Sequence, residues 1–166
     1  MKTNLNFSFL QMTNRLTTKH VPSFLDEKEA TELYNYLRDT VQWEDGIRSR
    51  HGFTRKAKPL QIGDVPRVDQ VVFDAINNVC EKDYVLLGIY LNYYEDGKMY
   101  TPNHTHKGQH QIVLSLGATR TLNVGKKAFE LRNGDLITFG SSIHGIPKDD
   151  TVQKGRISIA TFMMPM

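Results

Sequence analysis

From Asp83 onward the chain is a series of short apolar runs, and this pattern limits the possible fold more than any other feature. The runs are rich in β-branched and aromatic residues, and turn signals containing Gly, Asn or Asp separate them. They read YVLLGIYLNYY, QIVLSLG, TRTLNV, AFELRNGDLITFG and RISIATFMM. Within the fourth run, Asn133-Gly134-Asp135 is typical of a tight hairpin turn. Many short strands in succession predict a β-sandwich or barrel, which encloses a pocket at its mouth.

Two amphipathic helices are predicted before the strands. The stretch VPSFLDEKEATELYNYLRDTVQWED has start signals at Pro22, Ser23 and Asp26, and its helical spacing of apolar residues ends near Thr40. The stretch VPRVDQVVFDAINNVCEKD also places apolar residues on one side of a helix. Between them, GIRSRHGFTRKAKPLQIGD shows many cations and no clear period, so we interpret it as a loop or hairpin. Helices that precede a set of strands are expected to pack outside the sheets.

The length and composition predict one soluble, intracellular domain. A chain of 166 residues suits a single domain over 1–166, with a helical part at about 21–83 and a β core at about 84–166. No stretch approaches the roughly 20 apolar residues of a membrane span. Because Cys80 is the only cysteine, an internal disulfide is excluded. The net charge of +3 permits an anionic partner without requiring one.

Four histidines suggest a metal site. His104, His106 and His110 lie within the segment NHTHKGQH, and His144 follows a predicted strand in SSIHGIPK. If the first segment is extended, His104 and His106 project from the same face, since side chains two residues apart share a side of a strand. Two ligands from one strand and one from another can cap one face of a metal ion. The alternative is that the histidines decorate a polar surface loop.

The order of motifs adds a family resemblance. The segments LNYYEDGKMYTPNHTH, IVLSLGATR, LRNGDLITFG, HGIPK and RISIATF together resemble the AlkB-like family of iron(II)/2-oxoglutarate dioxygenases. The resemblance covers the chain from about residue 21 to the end, with a weak middle. It implies a double-stranded β-helix (jelly roll), mainly β, with two N-terminal helices packed outside. It also implies Fe(II), the co-substrate 2-oxoglutarate and O₂, with succinate and CO₂ as products of the co-substrate.

The resemblance assigns metal ligands with one departure. His104 and His144 fall on the two metal histidines of the family, but His106 stands where the family has an aspartate. A third imidazole would leave the site one unit more positive, which should alter the affinity, the redox potential and the identity of the metal. We predict His106 as the third ligand, with His110 or a water molecule as the alternatives.

The resemblance also assigns contacts to 2-oxoglutarate. Arg156 falls on the arginine that pairs with the C5 carboxylate, and Asn92 and Tyr94 fall on residues that hydrogen-bond the same molecule. An arginine within the apolar run RISIATF needs an anionic partner, because an unpaired buried charge costs several kcal/mol. The second arginine of the family is replaced by Phe162, so the C1 carboxylate depends on the metal alone or on another cation such as Arg120.

The resemblance also implies a substrate, a nucleic-acid base carrying an N-alkyl group. Arg50, Phe53 and Arg55 combine cations for phosphates with a ring for stacking, as a single-stranded or locally opened nucleic acid requires. A solvated basic loop is the alternative. We further expect a monomer and no membrane association. The competing functions are a jelly-roll module that binds metal or nucleic acid without turnover, and an oxygenase acting on protein or a small molecule.

Overall fold

The computed structural model describes residues 17–46, 48–49, 52–81 and 83–166, and gives only the backbone for 48–49 and 52–53. Two helices and thirteen strands follow one another in this part of the chain. In order they are β1 Lys19–Val21, α1 Glu27–Thr40, β2 Glu44–Asp45, β3 Arg48–Ser49, β4 Gly52–Phe53, β5 Lys56–Leu60, α2 Pro66–Val79, β6 Tyr84–Tyr94, β7 Thr101–His104, β8 His110–Gly117, β9 Arg120–Val124, β10 Lys127–Leu131, β11 Leu136–Phe139, β12 His144–Ile146 and β13 Arg156–Pro165.

Both helices form within the stretches predicted to be helical. The Asp26 side chain caps α1 by accepting a hydrogen bond of 2.8 Å from the backbone N–H of Glu29. Pro66 occupies the first turn of α2, where its missing N–H removes no helical hydrogen bond. Among the described residues, no helix has the length and apolar character needed to cross a membrane.

The strands form two principal sheets and one hairpin. The larger sheet has the order β1-β11-β8-β13-β6-β5-β2, and the smaller sheet has the order β10-β9-β12-β7. Within the described part of the chain, β3 and β4 pair with each other and with no other strand. From β6 to β13 the chain crosses between the two principal sheets at every connection except the β9–β10 hairpin, and the paired strands are antiparallel. This arrangement is the predicted double-stranded β-helix.

Two apolar clusters occupy opposite faces of the larger sheet. One cluster lies between this sheet and the helices, and it includes Leu33 and Leu37 of α1 and Val72 of α2. The other lies between the two sheets and includes Leu122 of β9 and Ile137 of β11. The helices therefore cover the outside of the larger sheet, as predicted, and leave the space between the sheets for the site.

Two local predictions need correction. The stretch that we interpreted as a loop or hairpin contains β3 and β4, but it also contains β5, which extends the larger sheet beside β6. The turn at Asn133-Gly134-Asp135 does not form a hairpin, because β10 belongs to the smaller sheet and β11 to the larger. Gly134 adopts a left-handed φ of 93°, so the prediction of a turn here is confirmed. The prediction that this turn joins two paired strands is wrong.

Candidate metal centre

Three of the predicted ligands converge at one end of the space between the sheets. One ligand atom from each of His104, His106 and His144 lies within 4.8 Å of the others. His104 ends β7, and its Cα is paired in register with that of His144 on the neighbouring β12. Their ring centroids are 4.4 Å apart. The pairing of two strands in the smaller sheet thus brings together residues forty positions apart in the sequence.

Backbone carbonyls fix the orientation of two of these rings. Nδ1 of His104 lies 2.8 Å from the carbonyl oxygen of Pro102, and Nδ1 of His144 lies 2.9 Å from that of Ser142. A carbonyl oxygen only accepts hydrogen bonds, so each Nδ1 carries the proton. The lone pair of each neutral ring is then on Nε2, as in metal-binding histidines whose other nitrogen is held by a hydrogen bond.

His106 joins the cluster from just beyond the end of β7. The strand ends at His104, and His106 lies two residues later, with its ring on the side of the His104 ring. Thr105, between them, donates a hydrogen bond to the carbonyl oxygen of Ser141. The His106 ring centroid lies 4.8 Å from that of His104 and 5.6 Å from that of His144.

The alternative ligand, His110, is placed elsewhere. It begins β8, and its ring packs against Tyr84 with centroids 5.7 Å apart. It does not belong to the cluster of potential ligands found among the described residues. The structure therefore favours His106 over His110 as the third ligand.

Gly145 allows the strands that carry His104 and His144 to approach closely. A Cβ at this position would lie 2.4 Å from Oδ1 of Asn103 and 2.8 Å from the carbonyl oxygen of Thr101. Any other residue would push β12 away from β7. The glycine of the HG dipeptide is thus required by the packing that unites the two histidines.

Burial favours the neutral form of two of the imidazoles, those of His106 and His144. Burial lowers the pKa of His144 to about 4, and the neighbouring His104 and His106 act in the same direction. Burial also lowers the pKa of His106, again with a contribution from His104. Since a metal binds the unprotonated nitrogen, both shifts favour metal binding at neutral pH.

A cavity of about 720 Å³ opens beside the cluster, and Arg156 lies within its wall. The Arg156 side chain is fully buried, and its Nε donates a hydrogen bond of 2.7 Å to Oγ of Ser115. Its Nη1 and Nη2 have no hydrogen-bond partner among the described residues. Burial lowers the pKa of Arg156 to about 10, and Arg120 acts in the same direction. A buried cation with two free donor groups fits a carboxylate.

The other predicted co-substrate contacts line the same cavity. The Tyr94 hydroxyl shares a hydrogen bond of 2.6 Å with Oγ1 of Thr101, and the Arg156 guanidinium lies 5.3 Å from the centre of the Tyr94 ring. Oδ1 of Asn92 accepts a hydrogen bond of 2.8 Å from Nε of Arg55, and its Nδ2 lies 3.5 Å from Oγ of Ser158. Asn92 and Tyr94 thus share the cavity wall with Arg156, and both side chains already make hydrogen bonds within the protein.

Arg120 does not supply a second cation for the cavity. Its guanidinium donates hydrogen bonds to the backbone carbonyls of Asp96, Met99 and Pro147, so it ties loops together. The prediction that Arg120 could assist in binding the C1 carboxylate is therefore wrong. Phe162, at the position of the family's second arginine, faces the cavity, and its ring centroid lies 5.0 Å from that of His106.

The predicted substrate contacts are only partly visible. Arg50 lies outside the described residues, and only the backbone of Phe53 is described, in β4. Arg55 lines the cavity but is engaged with Asn92. Two further cations of this basic stretch form ion pairs within the protein, Lys56 with Glu95 and Lys58 with Glu44, both at 3.0 Å.

Sequence reasoning missed two polar residues of β8. Ser115 positions Arg156 by accepting the hydrogen bond from its Nε. Gln111 is buried in the cavity wall, and its Nε2 lies 3.3 Å from Nε2 of His144. Both are polar residues within the apolar strand HQIVLSLG, and that contrast was the available signal.

Comparisons with known proteins support the fold. No family model matches the chain, and no curated protein matches it. Among solved structures, it is similar to the non-heme α-ketoglutarate-dependent epimerase SnoN from nogalamycin biosynthesis, with a TM-score of 0.71 and 14% identity over 97% of this chain and 83% of that one. It is similar to a Pseudomonas putida prolyl-4-hydroxylase, with a TM-score of 0.58 and 14% identity over 98% and 99%.

A third similar structure was solved with its ligands. HygX from Streptomyces hygroscopicus, with nickel and 2-oxoglutarate bound, has a TM-score of 0.66 and 11% identity over 95% of this chain and 86% of that one. At these identities the likeness establishes the fold, the double-stranded β-helix of 2-oxoglutarate oxygenases, and leaves the chemistry to the residues of this chain.

Proposed function

We propose that this protein is an iron(II)- and 2-oxoglutarate-dependent oxygenase. The observation that supports this most strongly is the combination, in one cavity, of three converging imidazoles with a buried arginine whose Nη1 and Nη2 lack partners among the described residues. A jelly roll needs neither feature for stability. Each is costly unless a metal cation and an organic anion complete the site.

The residues present fit both groups. His104, His144 and His106 would hold iron(II) through imidazole nitrogens, which suit that metal, and a face of three ligands leaves coordination positions open. When bound, iron(II) together with 2-oxoglutarate supplies the activation of O₂ that oxidises a C–H bond of the substrate. The neutral ligand set follows from the replacement of the expected aspartate by His106.

The chain itself binds and orients the co-substrate. Arg156, held by Ser115, would pair with the carboxylate that lies far from the metal. The Tyr94 hydroxyl has one proton, so it donates either to Thr101 or to the co-substrate, and in the second case it accepts from Thr101. Apolar side chains between the sheets exclude water from this end of the cavity; they include Val113, Leu122, Phe139 and Ile146.

Formation of succinate tests this proposal. The purified protein is incubated with Fe(II), ascorbate and 2-oxoglutarate in air, and succinate and oxygen consumption are measured. We expect succinate from the wild type and none above background from His104→Ala. If the wild type gives no more succinate than this variant, the jelly roll acts as a binding module without turnover.

A second candidate specifies the reaction and the substrate: oxidative demethylation of alkylated nucleic-acid bases, as in the AlkB-like family. It is supported by the position of Arg55 at the cavity and by a hairpin, β3–β4, whose sequence includes Arg48 and Phe53. The ion pairs of Lys56 and Lys58 reduce the number of cations free for phosphates.

Retention of short single-stranded DNA and RNA at increasing salt concentrations tests this candidate. Binding to phosphates weakens steeply with salt, and the combined replacement of Arg50, Phe53 and Arg55 by alanine should abolish it. A protein that retains neither strand at low salt, while still forming succinate, acts on another class of substrate.

A further inference from the structure

An exposed apolar surface continues outward from the cavity along β6 and β13. Exposed large apolar side chains are concentrated here: Val85, Leu87, Tyr90 and Met164 have exposed fractions of 45–48%. Phe162 joins them to the cavity, because its ring centroid lies 5.5 Å from that of Tyr90. We name these five residues the apolar platform.

A bulge in β6 places the platform residues on one face of the sheet. Phe162 pairs with Gly88 and Met163 pairs with Leu86, so Leu87 is an extra residue between them. Leu86 on one side of the bulge and Ile89 on the other both pack against the cluster beneath the helices. Their neighbours in the strand, Leu87 and Tyr90, therefore face the cavity side.

The platform carries no charge. The strand YVLLGIYLNYY contains no ionisable acid or base other than tyrosine, and RISIATFMMP contains only Arg156 at its inner end. At the neighbouring strand, Pro59 pairs with Tyr90. A polyanion would find no cation among the five platform residues, whereas an uncharged apolar molecule would cover side chains that are otherwise exposed to water.

The platform also begins at the metal cluster. The Phe162 ring lies 5.0 Å from the His106 ring, and Met164 follows two residues later along the strand, which is about 7 Å. A molecule resting on the platform therefore extends from the proposed iron site to the rim. An arginine in place of Phe162 would interrupt this apolar path with a charge.

We infer that the apolar platform binds the uncharged apolar body of a small-molecule substrate, such as a ring system or an acyl chain, and presents one of its C–H bonds to the metal. This inference rests on the proposed function, because it names the substrate class of the same site. It favours a small apolar substrate over a nucleic acid.

The platform is tested by titration with N-phenyl-1-naphthylamine, an uncharged fluorophore whose emission rises in apolar surroundings. The test variant is Leu87→Lys with Met164→Lys, and the matched control is Phe73→Lys on α2, where the side chain has a similar exposure of 46%. We expect the test variant to bind the fluorophore about tenfold more weakly and the control to bind it like the wild type. A second double variant, Leu87→Thr with Met164→Thr, introduces residues that suit strands. It separates the loss of apolar surface from misfolding caused by the lysines.

Three results would overturn the inference. They are equal binding of the fluorophore by the wild type and the test variant, its displacement by short single-stranded DNA, and a wild-type dimer that the lysines dissociate in sedimentation. Nickel and 2-oxoglutarate are titrated into the same proteins by calorimetry. The test variant should bind nickel and 2-oxoglutarate as the wild type does. If the wild type binds neither, the proposed function is contradicted, whatever the result with the fluorophore.

Discussion

His104 and His144 face each other across two antiparallel strands, with their Cα atoms in register and their ring centroids 4.4 Å apart. Each ring is held by the backbone carbonyl two residues before it, so that Nε2 carries the lone pair. Two rings oriented in this way have their Nε2 atoms available to a metal ion before the ion arrives.

Replacing either histidine of this pair by alanine should weaken binding of Ni(II) or Fe(II) more than about 100-fold, because each supplies one of three protein ligands. Calorimetric titration under anaerobic conditions measures the affinity. His20→Gln is the matched control, since His20 contacts Asp135 outside the cavity. Unchanged affinity in His104→Ala would remove that residue from the ligand set.

Substitutions of His106 should change the metal affinity in opposite directions, because this imidazole stands where a carboxylate was expected. His106→Ala should weaken metal binding by about tenfold or more, and His106→Asp should strengthen it relative to wild type by adding a negative charge next to the cation. The visible spectrum of the Co(II)-loaded proteins reports the change in ligands. If His106→Ala binds metal like the wild type, a water molecule occupies the third position.

Arg156 should show opposite effects on stability and on co-substrate binding. Arg156→Met removes a buried charge without a counter-ion, so the metal-free variant should unfold at the same or a higher temperature than the wild type, by about 2–4 °C for each kcal/mol gained. Its affinity for 2-oxoglutarate should fall more than about 100-fold. Thermal scans with and without 2-oxoglutarate measure both. A lower melting temperature would instead make Arg156 a structural residue.

Ser115→Ala tests the positioning of Arg156 by a milder change. The variant keeps the arginine but removes the acceptor of its Nε, so the affinity for 2-oxoglutarate should fall by about tenfold while metal affinity stays constant. Calorimetry on the nickel-loaded protein separates the two affinities. Equal losses for metal and 2-oxoglutarate would indicate a general disturbance of the sheet.

The stability of the metal-free protein should decrease as the pH falls. The pKa of His144 is about 4 in the folded protein, so below the ordinary histidine pKa of about 6.5 the unfolded chain binds a proton that the folded chain does not. Between about pH 7 and pH 5 this costs up to about 2 kcal/mol. The lowered pKa of His106 acts with the same sign. Urea unfolding of wild type and His144→Gln measures the effect, and the slope should be smaller in the variant.

The sequence predicted the elements of the fold better than their pairing. The helix cap at Asp26 and the spacing of apolar residues are local features, so they can be read from neighbouring positions. The turn at Asn133 was read correctly as a turn, but whether it joins paired strands depends on distant parts of the sheets. Strand β5 was not predicted within the basic stretch, because its local sequence pattern is weak. The strand forms through its pairing with β6.

The candidate site was predicted by residue type and by resemblance rather than by geometry. His104 and His144 were named from motifs, whereas the hydrogen bonds of Thr105 and Gly108 with Ser141, which hold the segment on either side of His106, cannot be read from the sequence. Arg120 was misjudged for the same reason: its three carbonyl partners come from loops that only the folded chain brings together.

A crystal structure of the protein grown without oxygen, with Mn(II) and 2-oxoglutarate, tests the central claim most directly, because anomalous scattering locates the metal. We predict a metal ion bound by His104, His106 and His144, with a carboxylate of 2-oxoglutarate on Nη1 and Nη2 of Arg156. A metal bound elsewhere, or a cavity that leaves Arg156 without a carboxylate at saturating 2-oxoglutarate, would contradict the proposal.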